Sequence, residues 1–133
     1  MKDKAVMLSV YSHYAELLVD GVKTIELRKV FPLDLPVDSE IYIYASRGDK
    51  KVIGRVKVKS IKRLMIGELW AHAAVEAMIP WYDFKRYYSG KDYGYAIEVY
   101  RQLRFPEPKE LSDFGVKRAP QSYQFIEVSN GSI

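Results

Sequence analysis

The sequence contains no cysteine and only two histidines in 133 residues. Disulfide frameworks, thiolate zinc sites and thiol nucleophiles are therefore excluded, and two histidines alone do not make a metal cluster. The sequence also lacks an apolar run near the roughly 18 residues of a membrane span, and its N-terminal segment carries charge without a long apolar stretch. We therefore predict a cytoplasmic protein with no membrane partner, no metal and no cofactor.

Positively charged residues are present in small excess. The chain has 21 Lys and Arg residues against 17 Asp and Glu residues, a formal net charge of +4. This balance favours an anionic partner but does not supply a basic arm. Aromatic residues make up 14% of the chain. Most of them are expected in the core, and those near the surface are expected to present rings on which bases can stack.

Apolar periodicity divides the chain into short strands and helices. The predicted strands cover residues 5–10, 24–29, 41–45, 52–59, 95–103 and 123–128, and the predicted helices cover 13–20, 67–78 and 81–88. Ser12 and Gly21 are expected to cap the first helix, and Pro106 and Pro108 are expected to lie in a loop. We predict a single α+β domain over residues 1–133, with a small β-barrel of five or six mostly antiparallel strands, two or three inserted helices and a frayed tail over 129–133.

The densest polar segment is GVKTIELRK, residues 21–29. A glycine turn places Lys23 beside a strand on which Thr24, Glu26 and Arg28 share one face, with residues i and i+2 about 6.5 Å apart. A carboxylate between two cations orients both of them and leaves N–H donors for a phosphate or a base edge. The same pattern is also typical of an ordinary solvated strand edge, so it indicates only a candidate site.

Two further segments carry polar groups suited to a nucleic acid. Arg55, Lys57 and Lys59 form a basic strip about 13 Å long on one predicted strand, enough to follow two phosphates of a single strand. An ordinary solvated face is the alternative interpretation of this strip. Gln121 and Ser122 carry amide and hydroxyl groups that can read a base edge.

The polar segment also resembles a known family. Gly21, Lys23, Glu26 and Arg28 match the G-x-K-x-x-E-x-R run that follows the first helix in ASCH domains, a PUA-like family. The resemblance extends over nearly the whole chain, through residues 13–18, 41–45, 68–70, 87–90 and 119–123. It implies a PUA-like β-barrel with the residues of this run lining a cleft, and a role in RNA binding or RNA-linked regulation.

The leading interpretation is therefore a module that binds RNA or a nucleotide. The resemblance brings the segments of Tyr44 and Tyr123 near the cleft, where their rings can stack on a base. Residues 121–123 would form the wall opposite the G-x-K-x-x-E-x-R run. The predicted ligand-binding residues are Lys23, Thr24, Glu26, Arg28, Tyr44, Gln121, Ser122 and Tyr123.

The chain also resembles an enzyme branch of the same family, small amidohydrolases that act on N4-acetylated cytidine. Lys23 matches the lysine of that branch and Glu76 its glutamate, but Glu26 stands where the branch has a threonine hydroxyl. A carboxylate does not supply that nucleophile, although it can activate water while Lys23 stabilises the oxyanion. The alternative function is therefore an amidohydrolase that uses Lys23, Glu26 and Glu76. A third alternative is an interaction domain whose charged residues face a protein partner.

Overall fold

Six strands pair into one sheet in the computed structural model, which describes residues 2–129 except the side chains of residues 2, 3 and 129. The strands are β1 (Lys2–Val10), β2 (Ile25–Arg28), β3 (Glu40–Ala45), β4 (Val52–Met65), β5 (Tyr93–Lys109) and β6 (Tyr123–Ser129). The helices are α1 (Ser12–Val19), α2 (Ile66–Ala77) and α3 (Trp81–Tyr87), with a short 3-10 helix at Leu111–Phe114.

The strand order is β2-β5-β4-β3-β1-β6, with β1 and β3 parallel and the other neighbouring strands antiparallel. The predicted α+β class, with a mostly antiparallel sheet and inserted helices, is confirmed. Closure into a barrel stays a prediction, because within residues 2–129 the ladders follow this open order and none joins β2 to β6. That residues 1–133 form a single domain also stays a prediction.

The structure corrects four local predictions. Pro106 and Pro108 do not lie in a loop, because β5 continues to Lys109. They fall where the β4–β5 register shifts between Val52 and Gly54, so their missing N–H groups are not needed in a regular ladder. Strand β4 is also longer than predicted and runs on to Met65.

At the start of α1, Tyr11 and not Ser12 is the N-cap residue, and it makes no side-chain capping hydrogen bond. Gly21 follows the helix with a φ of 78°, the left-handed conformation that glycine adopts without strain. Ser129, the first residue of the predicted tail, pairs with Lys2 in the β1–β6 ladder. The rest of that tail, residues 130–133, lies outside the described residues.

The apolar side chains on the two faces of the sheet form separate clusters, because side chains alternate along each strand. Leu8 packs with Leu18 of α1 on one face, while its neighbour Met7 packs on the other face beneath the 3-10 helix. On β2, Ile25 and Leu27 pack against α2 and α3 in a third cluster. Because side chains alternate along a strand, Glu26 and Arg28 lie on the opposite face of β2 from Ile25 and Leu27.

Candidate functional site

Three side chains form a charged cluster at β2, which we define as Lys23, Glu26 and Arg28. Arg28 Nη1 donates a hydrogen bond of 3.0 Å to Glu26 Oε2, and Lys23 Nζ lies 3.5 Å from Glu26 Oε1. Lys23 is 3% exposed and Glu26 is 6% exposed. With both basic groups protonated, two cations share one carboxylate, and the charged cluster carries a net positive charge beneath the protein surface.

The end of α2 holds Lys23 in place. Lys23 Nζ donates a hydrogen bond of 2.6 Å to the carbonyl of Ala77, the last residue of that helix. A helix C-terminus carries partial negative charge and favours a cation at this position. The N–H of Thr24 donates to the Glu76 carbonyl at 3.1 Å, which fixes the turn before β2 against the same helix. Burial lowers the pKa of Lys23, and the Glu26 carboxylate opposes this with a smaller effect.

Arg28 connects the two ends of the sheet. It lies on β2, at one edge of the strand order, while β1 and β6 stand at the other end. Its Nη1 donates to the Ser9 carbonyl at 3.1 Å, and its Nη2 donates to Ser122 Oγ at 2.8 Å. Ser9 in turn secures the segment before β6, because its hydroxyl donates to the Pro120 carbonyl at 2.6 Å. A single guanidinium therefore bridges two strand edges that no ladder joins in the described residues.

Two tyrosines from different helices face the charged cluster. The ring centroid of Tyr14, on α1, lies 5.1 Å from Lys23 Nζ. Burial raises the pKa of Tyr14, with smaller additions from the Asp83 and Glu26 carboxylates. Burial also raises the pKa of Tyr87, at the end of α3, against the opposing charge of the neighbouring Arg28 guanidinium. The site is therefore enclosed by phenol rings as well as by charged groups.

Surface cations lie over two tyrosine rings in this region. Lys29 Nζ is 4.7 Å from the ring centroid of Tyr87, and Arg47 Cζ is 4.5 Å from that of Tyr11. Tyr88, next to Tyr87 along the chain, donates to the Arg28 carbonyl at 3.0 Å, and Tyr11 lies two residues after Ser9, which accepts from Arg28. The rings of Tyr11 and Tyr87 therefore border the charged cluster, each with a cation over its ring.

Several predicted ligand-binding residues lie at or beside the charged cluster. Ser122 contacts Arg28 directly. Tyr123 is half-buried, and its ring centroid lies 5.3 Å from that of Phe31, so it packs against the core more than it faces solvent. Gln121 is exposed beside Ser122, and Thr24 contributes main-chain hydrogen bonds to α2 and β5.

Two predicted residues lie apart from the charged cluster. Tyr44 is buried with Met7 and Phe105 on the opposite face of the sheet, because alternation along β3 turns its ring away from α1. The Glu76 side chain is exposed on α2, and only its main-chain carbonyl reaches the turn before β2. Within residues 2–129 the Glu76 carboxylate forms no ion pair with Lys23, whose partner is Glu26, and the catalytic role of these three residues stays a prediction.

Carboxylates already balance much of the basic strip, Arg55, Lys57 and Lys59. Arg55 Nε lies 3.2 Å from Glu40 Oε2, and Lys59 Nζ lies 3.8 Å from Glu98 Oε2. Arg55 also donates through Nη1 to the carbonyl of Arg101 at 2.7 Å. A role for the strip in binding RNA stays a prediction.

Potential metal ligands are scattered over the part of the chain that the structure describes. Within it, no three His, Asp or Glu side chains come together in a way that could hold a metal ion. None of the described helices is long and apolar enough to cross a membrane, and the longest of them, α2, has 12 residues. The cytoplasmic location stays a prediction.

Comparison with known families matches the ASCH domain model to residues 8–109. The chain belongs to the ASCH domain family. The matched region begins in β1 and ends with β5, so it contains the whole charged cluster. Family membership, which the G-x-K-x-x-E-x-R run predicted, is therefore confirmed.

Two relatives resemble this chain in sequence. An ASCH domain-containing ribonuclease from Zymomonas mobilis is 30% identical over 89 residues, 67% of this chain and 60% of that protein. The large ribosomal subunit protein uL22 of Ureaplasma parvum is 23% identical over 125 residues, 93% of this chain and 40% of that protein. The chain therefore spans less than two thirds of the length of either relative.

Solved structures of a relative have the same fold. The crystal structure of ASCH from Zymomonas mobilis superposes with a TM-score of 0.83 at 26% identity, covering 90% of this chain and 85% of that one. A tyrosine-to-phenylalanine mutant of that protein gives a TM-score of 0.84 at 25% identity, covering 92% and 89%. The ASCH arrangement therefore extends over nearly all of this chain.

The sequence did not identify Ser9, Tyr14 or Tyr87 as members of the site. Tyr14 and Tyr87 fall in the segments 13–18 and 87–90 that resemble the family, but nothing in those segments indicates that their side chains reach the site. Their positions beside the charged cluster depend on how α1 and α3 pack on the sheet. The one local signal was the abundance of tyrosine, which does not say which rings reach the site.

Proposed function

We propose that the chain binds RNA, or a nucleotide, at the charged cluster. Membership of the ASCH family supports this proposal, as does the name of the Zymomonas mobilis relative, a ribonuclease. The observation that carries the proposal is the buried charged cluster, in which two basic groups share one carboxylate. A phosphate would offset the charge that Glu26 leaves unbalanced, and burying an uncompensated charge is otherwise costly.

Arg28 is the residue best placed to meet a phosphate. A guanidinium has five N–H donors. Two from Nη1 are directed to Ser9 and Glu26, and one from Nη2 is directed to Ser122. Nε makes no hydrogen bond within the described residues. The second Nη2 donor remains for a ligand, and arginine forms strong charge-assisted hydrogen bonds with phosphate oxygens.

Lys23 and Glu26 hold the Arg28 side chain in position. Glu26 accepts from the guanidinium, and Lys23 is held between this carboxylate and the end of α2. These contacts fix the guanidinium before a ligand arrives, so little side-chain freedom is lost on binding. The tyrosine rings around the charged cluster supply flat surfaces on which a base can stack.

The test is a titration of a short fluorescent RNA with the wild type and Arg28→Gln. We expect the substitution to weaken binding roughly 10- to 150-fold, the value of a hydrogen bond to a charged group. Lys109→Ala, which removes one positive charge at the far end of β5, serves as the matched control and should bind nearly as the wild type does.

Arg28 also ties the sheet edges together, so the melting temperature of each variant is measured alongside. Arg28→Lys keeps the charge without the planar fork and should bind with intermediate affinity. Unchanged affinity in a folded Arg28→Gln variant would show that the charged cluster does not bind RNA. Equal losses of affinity in Arg28→Gln and Lys109→Ala would show that binding depends only on the net charge of the protein.

The name of the Zymomonas mobilis relative favours RNA cleavage as a second candidate function. A lysine whose pKa is lowered by burial, such as Lys23, is a typical general base. Incubating the same RNA with the protein and separating the products tests for cleavage, which Lys23→Met should abolish. The amidohydrolase stays a prediction, and we expect no acetate release from N4-acetylcytidine because the Glu76 side chain is exposed on α2.

A further inference from the structure

Tyr11 and Arg47 form an exposed pair beside the charged cluster. Tyr11 is 57% exposed although it immediately precedes α1. Arg47, from the loop after β3, lies over its ring with Cζ 4.5 Å from the centroid. The Tyr11 side chain makes no capping hydrogen bond to the helix, so the start of α1 does not depend on the phenol.

Tyr87 and Lys29 form a second pair, in which the Tyr87 ring is half-buried and packs edge-on against Tyr88. Lys29 follows β2 directly, and its Nζ lies 4.7 Å from the centroid of the Tyr87 ring. Tyr88, the next residue along the chain, donates from its hydroxyl to the Arg28 carbonyl at 3.0 Å. Tyr11 lies two residues after Ser9, whose carbonyl accepts a hydrogen bond from Arg28 at 3.1 Å. Both pairs therefore border the charged cluster.

The cations of these two pairs, Arg47 and Lys29, differ in charge balance from two other cations, Arg86 and Arg104. Within residues 2–129, neither Arg47 nor Lys29 forms an ion pair with a carboxylate. By contrast, Arg86 lies 3.8 Å from Asp83, and Arg104 lies 2.8 Å from Asp20. Each pair thus presents a flat ring and an unbalanced positive charge, which match a base and a phosphate.

We propose that these two pairs, Tyr11 with Arg47 and Tyr87 with Lys29, form an RNA-docking surface that extends the charged cluster. The inference rests on the proposed function. An unpaired base stacks on each ring, and the phosphates between the bases meet Arg47, Arg28 and Lys29. The bound RNA must be unpaired at this surface, because stacking on a side chain requires that the face of the base is free.

The chain offers a matched control on α3. Tyr82 is 70% exposed and also has an arginine over its ring, with Arg86 Cζ 5.6 Å from the centroid. The five residues from Tyr82 to Tyr87 correspond to about 140° around a helix, so Tyr82 points to a different side of α3. Its cation is already paired with Asp83. Tyr82 therefore tests whether any exposed tyrosine with a nearby arginine binds RNA.

The experiment titrates an unstructured RNA hexanucleotide with the full chain carrying Tyr11→Ala, Tyr11→Phe or Tyr82→Ala. We expect Tyr11→Ala to weaken binding roughly 5- to 150-fold, the usual value of one stacked base. Tyr11→Phe keeps the ring and should bind like the wild type, as should Tyr82→Ala. Melting temperatures should stay nearly constant because both rings are exposed.

Arg47→Ala supplies an independent readout. Removing one phosphate contact should lower the slope of log K against log salt concentration by about 0.7, the value for a single strand. Tyr11→Ala should leave this slope unchanged, because a stacked ring releases no counterion. An equal change of slope in both variants would contradict the division of roles within the pair.

The outcomes separate the docking surface from the charged cluster. If Arg28→Gln loses binding while Tyr11→Ala and Arg47→Ala bind as the wild type does, the docking surface is wrong and the proposed function stands. An equal loss in Tyr82→Ala would also overturn the docking surface. If the wild type binds no RNA at all, both the proposed function and this inference are wrong.

Discussion

The charged cluster and the basic strip look alike in sequence but differ in structure. Both place alternating cations on a strand. In the charged cluster the buried Lys23 and the largely buried Arg28 share Glu26, whereas in the basic strip Arg55 is paired with Glu40, and Lys59 with Glu98. Alternation thus identifies a charged face, while burial and charge balance distinguish a candidate site from an ordinary solvated face.

The energetic difference between the two regions follows from burial. Exposed ion pairs contribute roughly 0 to 1 kcal/mol, because water and salt screen the charges. Buried charges lose their hydration, and removing one partner leaves the other uncompensated. Substitutions in the charged cluster should therefore affect stability much more than those in the basic strip, and this contrast can be measured.

The largest effect is expected from Glu26→Gln. Without the carboxylate, the buried Lys23 and the largely buried Arg28 lose the anion that they share, and we expect a loss of about 3 to 5 kcal/mol in the free energy of unfolding. The matched substitution in the basic strip, Glu40→Gln, should cost no more than about 1 kcal/mol because its ion pair is partly exposed. Urea denaturation of both variants measures the contrast, and equal losses would mean that burial does not distinguish the two regions.

A smaller effect is expected in the pH dependence of stability. Burial puts the folded-state pKa of Lys23 below the ordinary 10.5, so the unfolded chain binds this proton more tightly. Between the folded-state pKa and 10.5, the Lys23 contribution to the free energy of unfolding therefore rises with pH, and it is lost as the pH falls through the folded-state pKa.

Lys23→Met should remove this rise. Urea denaturation at several pH values between neutral pH and 10 measures the rise. The range stops at pH 10 because the ordinary tyrosine pKa is 10.0. The exposed-lysine variant Lys109→Met should keep the wild-type profile. A rise that persists unchanged in Lys23→Met would show that another group produces it.

Local pattern predicted the parts of the site that are close in sequence. The alternation of residues 24–29 placed Glu26 and Arg28 on one face, and Gly21 predicted the turn that delivers Lys23. These features depend only on strand geometry and on the conformational freedom of glycine. The family run in the same segment then indicated RNA as the ligand class.

The remaining features depend on contacts between distant segments. The hydrogen bond from Arg28 to Ser122 joins residues 94 positions apart, and no local pattern specifies it. The face on which Tyr44 lies depends on the register of β3, and the placement of Tyr87 depends on how α3 packs. The two prolines of β5 indicated a loop because the register shift in β4, which leaves room for them, cannot be read from their own segment.

Nuclear magnetic resonance of the arginine side chains tests the central claim most directly. Arg28 and Arg55 are a natural pair for comparison, because each lies on a strand beside one carboxylate, Glu26 for Arg28 and Glu40 for Arg55. Their Nε–H resonances are assigned with Arg28→Lys and Arg55→Lys and followed as an RNA hexanucleotide is added. We predict that the Arg28 resonance shifts with saturation while the Arg55 resonance stays in place. A shift of Arg55 with Arg28 unchanged would locate binding at the basic strip and contradict the account.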